Sequence, residues 1–203
     1  VPDGYYSGPE DASETTRSEK TICPAGYYCT GGQKFECPAG SLGEAEGQWN
    51  PTCDGQCPRG YYCTGGEKHE CGSVDKYCPA GSSAPTNVTT GHYSGPSDVN
   101  ENVRYEETIC PVGYYCVGGE KFECASGYFG NSTGLTTSQC SGMCKDGYYC
   151  ESGSTRDDQN ECGSVDKYCP AGSETPLVVP DGYYSGPEDA SETTRSEKTI
   201  CPA

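Results

Sequence analysis

Seventeen cysteines in 203 residues constrain this chain more than any other feature of its sequence. Leu, Ile, Val and Phe together number only 19, and the formal net charge is -17, a combination typical of disordered chains. Disulfides remove conformational entropy from the unfolded chain, by roughly 3 kcal/mol for a loop of about 15 residues, and so compensate for a small apolar core. The sequence therefore predicts a disulfide-held fold, secreted to an extracellular or cell-surface location where thiols are oxidised.

The chain also repeats itself. Residues 1–25, VPDGYYSGPEDASETTRSEKTICPA, recur without a change as residues 179–203, which sets a period of 178 residues. We expect the chain to belong to a longer array of near-identical repeats. A shorter, more diverged period predicts a first half-repeat over 1–87, a second half-repeat over 88–178, and the start of the next long repeat over 179–203.

The cysteine spacing is the evidence for the shorter period. Both halves carry eight cysteines in the same spacing, apart from a four-residue insertion before Cys162, and each half divides into two four-cysteine units. Cys201 repeats Cys23 one period later, so we expect its partner in the sequence of the following repeat; a free reactive thiol is the alternative.

Each four-cysteine unit opens with C-P-x-G-Y-Y-C or a close variant, and in three units Gly-Gly and a short alternating run follow, as in GGQKFEC. This pattern predicts a β-hairpin with a two-residue primed turn, which places Cys29 opposite Lys34 and Tyr28 opposite Phe35. The two cysteines of such a hairpin face opposite ways, and this excludes a bond between Cys29 and Cys37.

Two cysteine pairings stay open after that exclusion: first with second and third with fourth, or first with third and second with fourth. We expect the latter arrangement, because its interlocked loops restrain more of the chain. The expected bridges are Cys23–Cys37, Cys29–Cys53, Cys57–Cys71, Cys63–Cys78, Cys110–Cys124, Cys116–Cys140, Cys144–Cys162 and Cys150–Cys169.

The segments between cysteine units, such as 79–109, are rich in Pro, Gly, Ser, Thr and acidic residues. In them we expect turns at GYYSGP and GHYSGP and an alternating strand at SETTRSEKTI. No segment has a helical period. The predicted fold class is small disulfide-rich β, an elongated tandem array of four-cysteine hairpin modules with essentially no helix.

We interpret each Tyr-Tyr pair as one ring packed on a disulfide and one ring on a neighbouring unit or in solvent. The rival interpretation is a surface for ligand stacking or dityrosine cross-linking.

The strings CPAGYYCTGGQKFECPAG, CVGGEKFECASGYFGNSTGLTTSQCSGMC and CGSVDKYCPAGSSAPTNVTTGHYSGP resemble the ephrin-receptor-like cysteine-rich repeats of long surface and secreted proteins, especially those of protists and algae. The resemblance implies rods of stacked small β units. By analogy with flagellar hairs of the mastigoneme type, it implies a structural subunit that associates with itself into extracellular filaments. A receptor or adhesin ectodomain that binds a protein or glycan ligand is the alternative, and a cyst-wall or matrix component is a third possibility. Near-identical units favour the filament, because receptor repeats diverge as each contacts a different part of a ligand.

Candidate sites are few. Two N-glycosylation sequons predict covalent glycans on Asn87 and Asn131. The only histidines are His69 and His92, and no C-x2-C pair occurs, so we expect no zinc site. The DQNE segment at 158–161 resembles the opening of calcium-binding epidermal-growth-factor modules but lacks their cysteine spacing. With so little apolar core, we expect no catalytic pocket and no cofactor.

The charge and hydropathy patterns argue against two classes of partner. Thirty acidic residues against 13 Lys and Arg repel nucleic acid and anionic lipid alike. No run of 18 apolar residues occurs, so we expect no membrane contact by this segment.

Overall fold

A computed structural model describes residues 1–8, 13 and 16–202 of the chain. It contains two compact units. The first comprises residues 1–88 and 94–107, and the second comprises residues 89–93 and 108–203.

The described residues fold into short β-strands, each paired with a neighbour along the chain in a two-stranded sheet. The pairs up to residue 88 are β1 (Tyr5–Gly8) with β2 (Glu19–Ile22), β3 (Tyr27–Thr30) with β4 (Gln33–Glu36), β5 (Ser41–Leu42) with β6 (Gly55–Gln56), β7 (Tyr61–Thr64) with β8 (Glu67–Glu70), and β9 (Lys76–Tyr77) with β10 (Thr86–Asn87).

The remaining pairs are β11 (His92–Gly95) with β12 (Glu106–Ile109), β13 (Tyr114–Val117) with β14 (Glu120–Glu123), β15 (Tyr128–Phe129) with β16 (Gly142–Met143), β17 (Tyr148–Tyr149) with β18 (Asn160–Glu161), β19 (Lys167–Tyr168) with β20 (Leu177–Val178), and β21 (Tyr183–Gly186) with β22 (Glu197–Ile200). One 3-10 turn, Glu101–Val103, lies between β11 and β12. No α-helix occurs among the described residues, and the predicted fold class of disulfide-rich β modules in tandem is confirmed.

The predicted hairpin register is confirmed at β3–β4. Cys29 lies opposite Lys34 and Tyr28 lies opposite Phe35. The turn residues Gly31 and Gly32 have φ of 59° and 76°, and a primed turn needs these left-handed values at both central positions. The other two Gly-Gly units form the same hairpin at β7–β8 and β13–β14.

Cysteines form the core. Within the described chain, all the buried residues of the apolar class are cysteines, whereas Phe35, Trp49, Val117 and Val178 are among the exposed large side chains. The few aliphatic and aromatic residues therefore do not build a conventional hydrophobic interior. The prediction that disulfides replace an apolar core is confirmed.

A tight turn opens each C-P-x-G-Y-Y-C segment. The Tyr27 N–H donates to the Pro24 carbonyl at 3.2 Å, and Gly26 has φ of 85°, the positive value that a type II turn needs at its third position. The turn folds the chain back within the segment. The Cα atoms of Cys23 and Cys29 come within 5.7 Å of each other, in the usual range for a disulfide.

All sixteen cysteines of the two halves are bridged inside their own four-cysteine units, but the expected pairing is wrong. The structure joins first with second and third with fourth, where we expected Cys23–Cys37, Cys29–Cys53, Cys57–Cys71, Cys63–Cys78, Cys110–Cys124, Cys116–Cys140, Cys144–Cys162 and Cys150–Cys169. The observed bridges are Cys23–Cys29, Cys37–Cys53, Cys57–Cys63, Cys71–Cys78, Cys110–Cys116, Cys124–Cys140, Cys144–Cys150 and Cys162–Cys169.

The physical reason lies in local chain reversal. Interlocked loops restrict the unfolded chain, but the pairing is decided by which thiols the folded backbone brings together. The type II turn folds the first cysteine of a unit, which precedes the hairpin, against the second, which lies in the first strand of the hairpin. Cys37 and Cys53 are then left to close the longer segment around β5.

The four-residue insertion before Cys162 changes one hairpin. The connection between β17 and β18 is held by its own polar contacts, in which the Thr155 N–H donates to Gln159 Oε1 at 2.8 Å. Arg156 Nε lies 3.1 Å from Asp158 Oδ1 in an ion pair. The first carboxylate of the DQNE segment, that of Asp158, is thus paired with a guanidinium.

Two expectations for the linker segments are corrected. YYSG and HYSG are strands β1, β11 and β21, and the turn lies one step earlier, where the Tyr183 N–H donates to the Pro180 carbonyl at 3.1 Å. SETTRSEKTI at 191–200 is a strand only over its last four residues, because Ser191 and Thr193 bond through their hydroxyl groups and the Thr194 N–H donates to the Ser191 carbonyl. Part of the first copy of SETTRSEKTI lies outside the described residues.

Candidate assembly site

Three hairpins contain Tyr-Ser-Gly in their first strand, and we call them YSG hairpins: β1–β2, β11–β12 and β21–β22. The first and third are identical in sequence. They also share one register, with Tyr5 opposite Ile22 and Tyr183 opposite Ile200. Because the same segment folds the same way in two places, its surroundings are directly comparable.

The first YSG hairpin is bonded to the segment that follows it, residues 26–48, which we call the acceptor module. The Gly4 N–H donates to the Cys29 carbonyl at 2.9 Å, and the Ser7 N–H donates to the Gly32 carbonyl at 3.0 Å. Both bonds join backbone groups, so they depend on the path of the chain more than on side-chain identity.

Glycine is required at the closest point of this contact. A Cβ atom built on Gly4 would lie 2.6 Å from the Gly47 carbonyl oxygen, a distance that real Cβ atoms do not show. In the second unit, a Cβ on Gly91 would lie 2.5 Å from the Gly134 carbonyl oxygen. The two hairpins differ in sequence, VPDGYYSG against VTTGHYSG, yet each packs a turn glycine on the corresponding carbonyl.

A parallel backbone bridge accompanies each close approach. Tyr6 bridges Gly32 in the first unit, and Tyr93 bridges Gly119 in the second. The YSG hairpin and its acceptor module therefore meet in the same way in two diverged copies.

A lysine lies between two tyrosine rings at each of these contacts. Lys34 Nζ is 5.1 Å from the centre of the Tyr6 ring and 4.7 Å from that of Tyr27. Lys121 Nζ is 5.0 Å from the Tyr93 ring and 4.9 Å from the Tyr114 ring. An ammonium group over the face of an aromatic ring is attracted by the ring quadrupole, so this lysine links the hairpin to its acceptor module.

In the three Gly-Gly hairpins, the second tyrosine of the Tyr-Tyr pair packs on an aromatic ring of the facing strand. The ring centres are 5.3 Å apart for Tyr28 and Phe35, 5.1 Å for Tyr62 and His69, and 5.5 Å for Tyr115 and Phe122. The partners of these rings are lysines and aromatic side chains. That one ring of each pair packs on a disulfide, and the other on a neighbouring unit or in solvent, stays a prediction. His69 belongs to this ring packing.

A YSG hairpin also contacts the segment that precedes it. In the third hairpin, Ser185 Oγ donates to the Val165 carbonyl at 2.6 Å, and the Cys169 N–H donates to the Arg195 carbonyl at 2.9 Å. The hairpin is therefore fixed to the last cysteine bridge before it.

The first unit shows the same contact. Ser94 Oγ donates to the Val74 carbonyl at 2.5 Å, and the Cys78 N–H donates to the Arg104 carbonyl at 3.0 Å. Ser94 is fully buried although it is polar, and its bond to a backbone carbonyl accounts for that burial.

Sequence reasoning missed an arginine that braces each YSG hairpin. Arg104 Nη1 donates to the Ser94 carbonyl at 2.6 Å, and Arg195 Nη1 donates to the Ser185 carbonyl at 3.0 Å. Arg17 makes the corresponding bond in the first hairpin. The constant spacing of ten residues between serine and arginine, kept while the residues between them diverge, is the signal that could have revealed it.

A tyrosine and a carboxylate meet beside the second YSG hairpin, within the first unit. The Tyr77 hydroxyl donates to Glu107 Oε2 at 3.4 Å. Burial raises the pKa of Tyr77, and the negative charge and hydrogen bond of Glu107 raise it further. At the third hairpin, Lys198 takes the corresponding position, with Nζ 5.6 Å from the Tyr168 ring centre.

Both predicted glycosylation asparagines are exposed. Asn87 lies in β10 opposite Lys76. Asn131 lies in the loop after β15, where its Oδ1 accepts a hydrogen bond from Ser132 Oγ at 3.1 Å. Neither position presents a steric barrier to a glycan.

The described residues contain no group of three or more His, Cys, Asp or Glu side chains arranged to hold a metal ion. Over the same part of the chain, none of the helices has the length and apolar character needed to span a membrane.

Comparison with known proteins gives no family: no family model matches this chain, and no curated protein matches it significantly.

Proposed function

We propose that this chain is a segment of the structural subunit of a secreted extracellular filament, built from near-identical disulfide-stapled repeats of the ephrin-receptor-like kind. One observation carries the proposal. The first unit and the second unit each join a YSG hairpin to its acceptor module through the same backbone bridge and the same close glycine, although the sequences have diverged. A contact that is kept while the sequence diverges supports an array in which each YSG hairpin packs on the module that follows it.

The long repeat supports the same function. Residues 1–25 and 179–203 are identical, so equivalent surfaces occur once in every 178 residues. Equivalent contacts repeated along one axis generate a linear or helical assembly, whereas receptor repeats diverge as each contacts a different part of a ligand.

The chemistry of the chain suits an extracellular appendage. Disulfides persist in oxidising compartments, and the small modules depend on them because they bury so little apolar surface. In this proposal, glycans on Asn87 and Asn131 and the net charge of -17 keep neighbouring filaments apart.

Immunogold electron microscopy on the source organism tests the proposal. Antibodies raised against the folded chain are expected to label extracellular filaments at a regular spacing, and antibody pre-absorbed with the same chain serves as the control. Labelling confined to single molecules on the plasma membrane would refute the filament and support a receptor or adhesin.

A further inference from the structure

The two identical YSG hairpins differ in what covers them. Gly4 is buried against the acceptor module, whereas Gly182, its copy, is exposed. Cys23 is 0% exposed, and its copy Cys201 is exposed and outside any disulfide. The first hairpin is therefore covered on a face that the third leaves open.

The exposed fraction of the isoleucine at the end of each hairpin's second strand shows how far that hairpin is covered. Ile22 is 43% exposed, and its copy Ile200 is 66% exposed. Ile109 of the second hairpin, which has an acceptor module in the same unit, is 48% exposed and thus close to Ile22. The added exposure of Ile200 follows from the missing neighbour, because the sequence is the same.

A hollow of about 710 Å³ occupies the open face. Its lining includes Val179 and Ser185, the copies of Val1 and Ser7. In the first hairpin, a Cβ on Gly32 would lie 3.6 Å from both Val1 Cβ and Ser7 Oγ. The turn of the acceptor module thus occupies the position that is empty beside the third hairpin.

Hydrogen-bonding groups on the open face also lack the partners found at the first hairpin. Gly4 and Ser7 donate their N–H groups to the acceptor module. Among the described residues, no backbone carbonyl takes the corresponding position opposite the N–H groups of Gly182 and Ser185.

We infer that the open face of the third YSG hairpin docks the acceptor module, residues 26–48, of a second copy of the repeat. In this contact, the incoming Gly32 carbonyl accepts from the Ser185 N–H, and the incoming Lys34 lies over the Tyr184 ring. Tyr184 is 36% exposed and is the copy of Tyr6, over which Lys34 lies in the first unit.

The acceptor module is the proposed partner because the open face of the third hairpin matches the face that the first hairpin already packs on it. This chain already shows the pairing twice, once with a hairpin identical to the third and once with a diverged one. The inference rests on the head-to-tail order of the proposed filament, and it adds the residues that join one long repeat to the next.

Amide hydrogen exchange tests the contact in a chain extended after Ala203 by a second copy of residues 26–56. In the 203-residue chain, the Gly182 and Ser185 amides should exchange faster than those of Gly4 and Ser7, which serve as references in the same molecule. In the extended chain, both should slow by at least about tenfold, toward the reference values. Unchanged exchange, with Cys201 bonded to the added copy of Cys29, would overturn the inference.

A pair of alanine substitutions shows whether the protection comes from this contact. A Cβ on Gly182 has no atom within 4 Å in the 203-residue chain, whereas docking would bring the added Gly47 carbonyl against it, as Gly47 lies against Gly4. Gly182→Ala in the extended chain should therefore remove the protection of Ser185, and Gly4→Ala should likewise remove that of Ser7. Full protection of Ser185 in the Gly182→Ala chain would also contradict the inference.

The proposed filament function and the proposed docking contact can be refuted independently of each other. Exchange is measured on dissolved monomers, so source material without filaments would refute the proposed function while leaving the docking result unaffected. Unprotected Gly182 and Ser185 amides in a chain whose source does build filaments would refute the docking alone.

Discussion

At the scale of single residues, glycines set how closely neighbouring modules approach. Gly60 and Gly65 both have positive φ, 84° and 56°, but a Cβ on Gly60 would lie 2.5 Å from the Val103 carbonyl oxygen, whereas one on Gly65 would meet no atom within 4 Å. Gly65→Ala should therefore cost about 1 kcal/mol, the strain of a left-handed alanine. Gly60→Ala should cost roughly 2–4 kcal/mol, because overpacking against the backbone adds to that strain.

Denaturant unfolding with the disulfides intact measures both variants, and Gly65→Ala is the matched control for backbone strain. Equal losses of stability in the two variants would contradict the importance of the close approach.

The pKa of the Tyr77 hydroxyl group reports on the burial of Tyr77 and on the charge of Glu107. Burial first, and then Glu107, raise the pKa of this hydroxyl group above the ordinary value of about 10. A raised pKa in the folded state contributes stability that is fully present below pH 10 and is lost as the pH rises through the folded value. Glu107→Lys should lower the Tyr77 pKa, because it replaces a repelling charge with the cation found beside Tyr168.

The NMR chemical shift of Tyr77 Cζ, followed from pH 8 to 12, measures this pKa, and Tyr77→Phe identifies the resonance. An unchanged midpoint in Glu107→Lys would show that the carboxylate does not act on the hydroxyl.

At the scale of single elements, the disulfides differ in the length of chain that they close. Cys37–Cys53 spans 16 residues, and Cys57–Cys63 spans 6. The loop-entropy relation gives roughly 3 kcal/mol for the longer loop and roughly 2 kcal/mol for the shorter. Replacing both cysteines of the longer bridge by alanine should therefore destabilise the first unit by about 1 kcal/mol more than the same change in the shorter bridge.

Thermal unfolding of the two double variants gives the comparison, and peptide mapping of each confirms that the other bridges are unchanged. A larger loss from the shorter bridge would show that native packing around it, and not loop entropy, sets its contribution.

The hairpins were predictable from the sequence, and the cysteine pairing was not. Gly31 and Gly32 fix both the turn type and the register, so a local pattern is enough for β3–β4. The bridge between Cys23 and Cys29 depends on a type II turn at C-P-x-G, whose effect on the thiols is visible only in three dimensions. The contact between Gly4 and Gly47 was not predictable either, since no sequence pattern in one segment indicates that it packs against the other.

At the scale of the whole molecule, charge is expected to control association between copies. Thirty acidic residues against 13 Lys and Arg give the chain a net charge of -17, and the isoelectric point is about 4.3. Repulsion between copies extends about 30 Å at 0.01 M salt and about 10 Å at 0.1 M. Association should therefore be weakest at neutral pH and low salt, and strongest near pH 4.3, where the net charge vanishes and colloidal stability is lost.

Light scattering of the purified chain across pH 4 to 8, at 0.01 M and 0.15 M salt, tests this dependence. Scattering should rise with salt at pH 7 and should lose its salt dependence near pH 4.3, since no net repulsion is then left to screen. A neutral sugar in place of salt, at equal osmolarity, separates screening from solute exclusion. Scattering that does not change with salt concentration at pH 7 would mean that repulsion between acidic surfaces does not keep neighbouring copies apart. In the proposed filament, that separation would then depend on the glycans on Asn87 and Asn131.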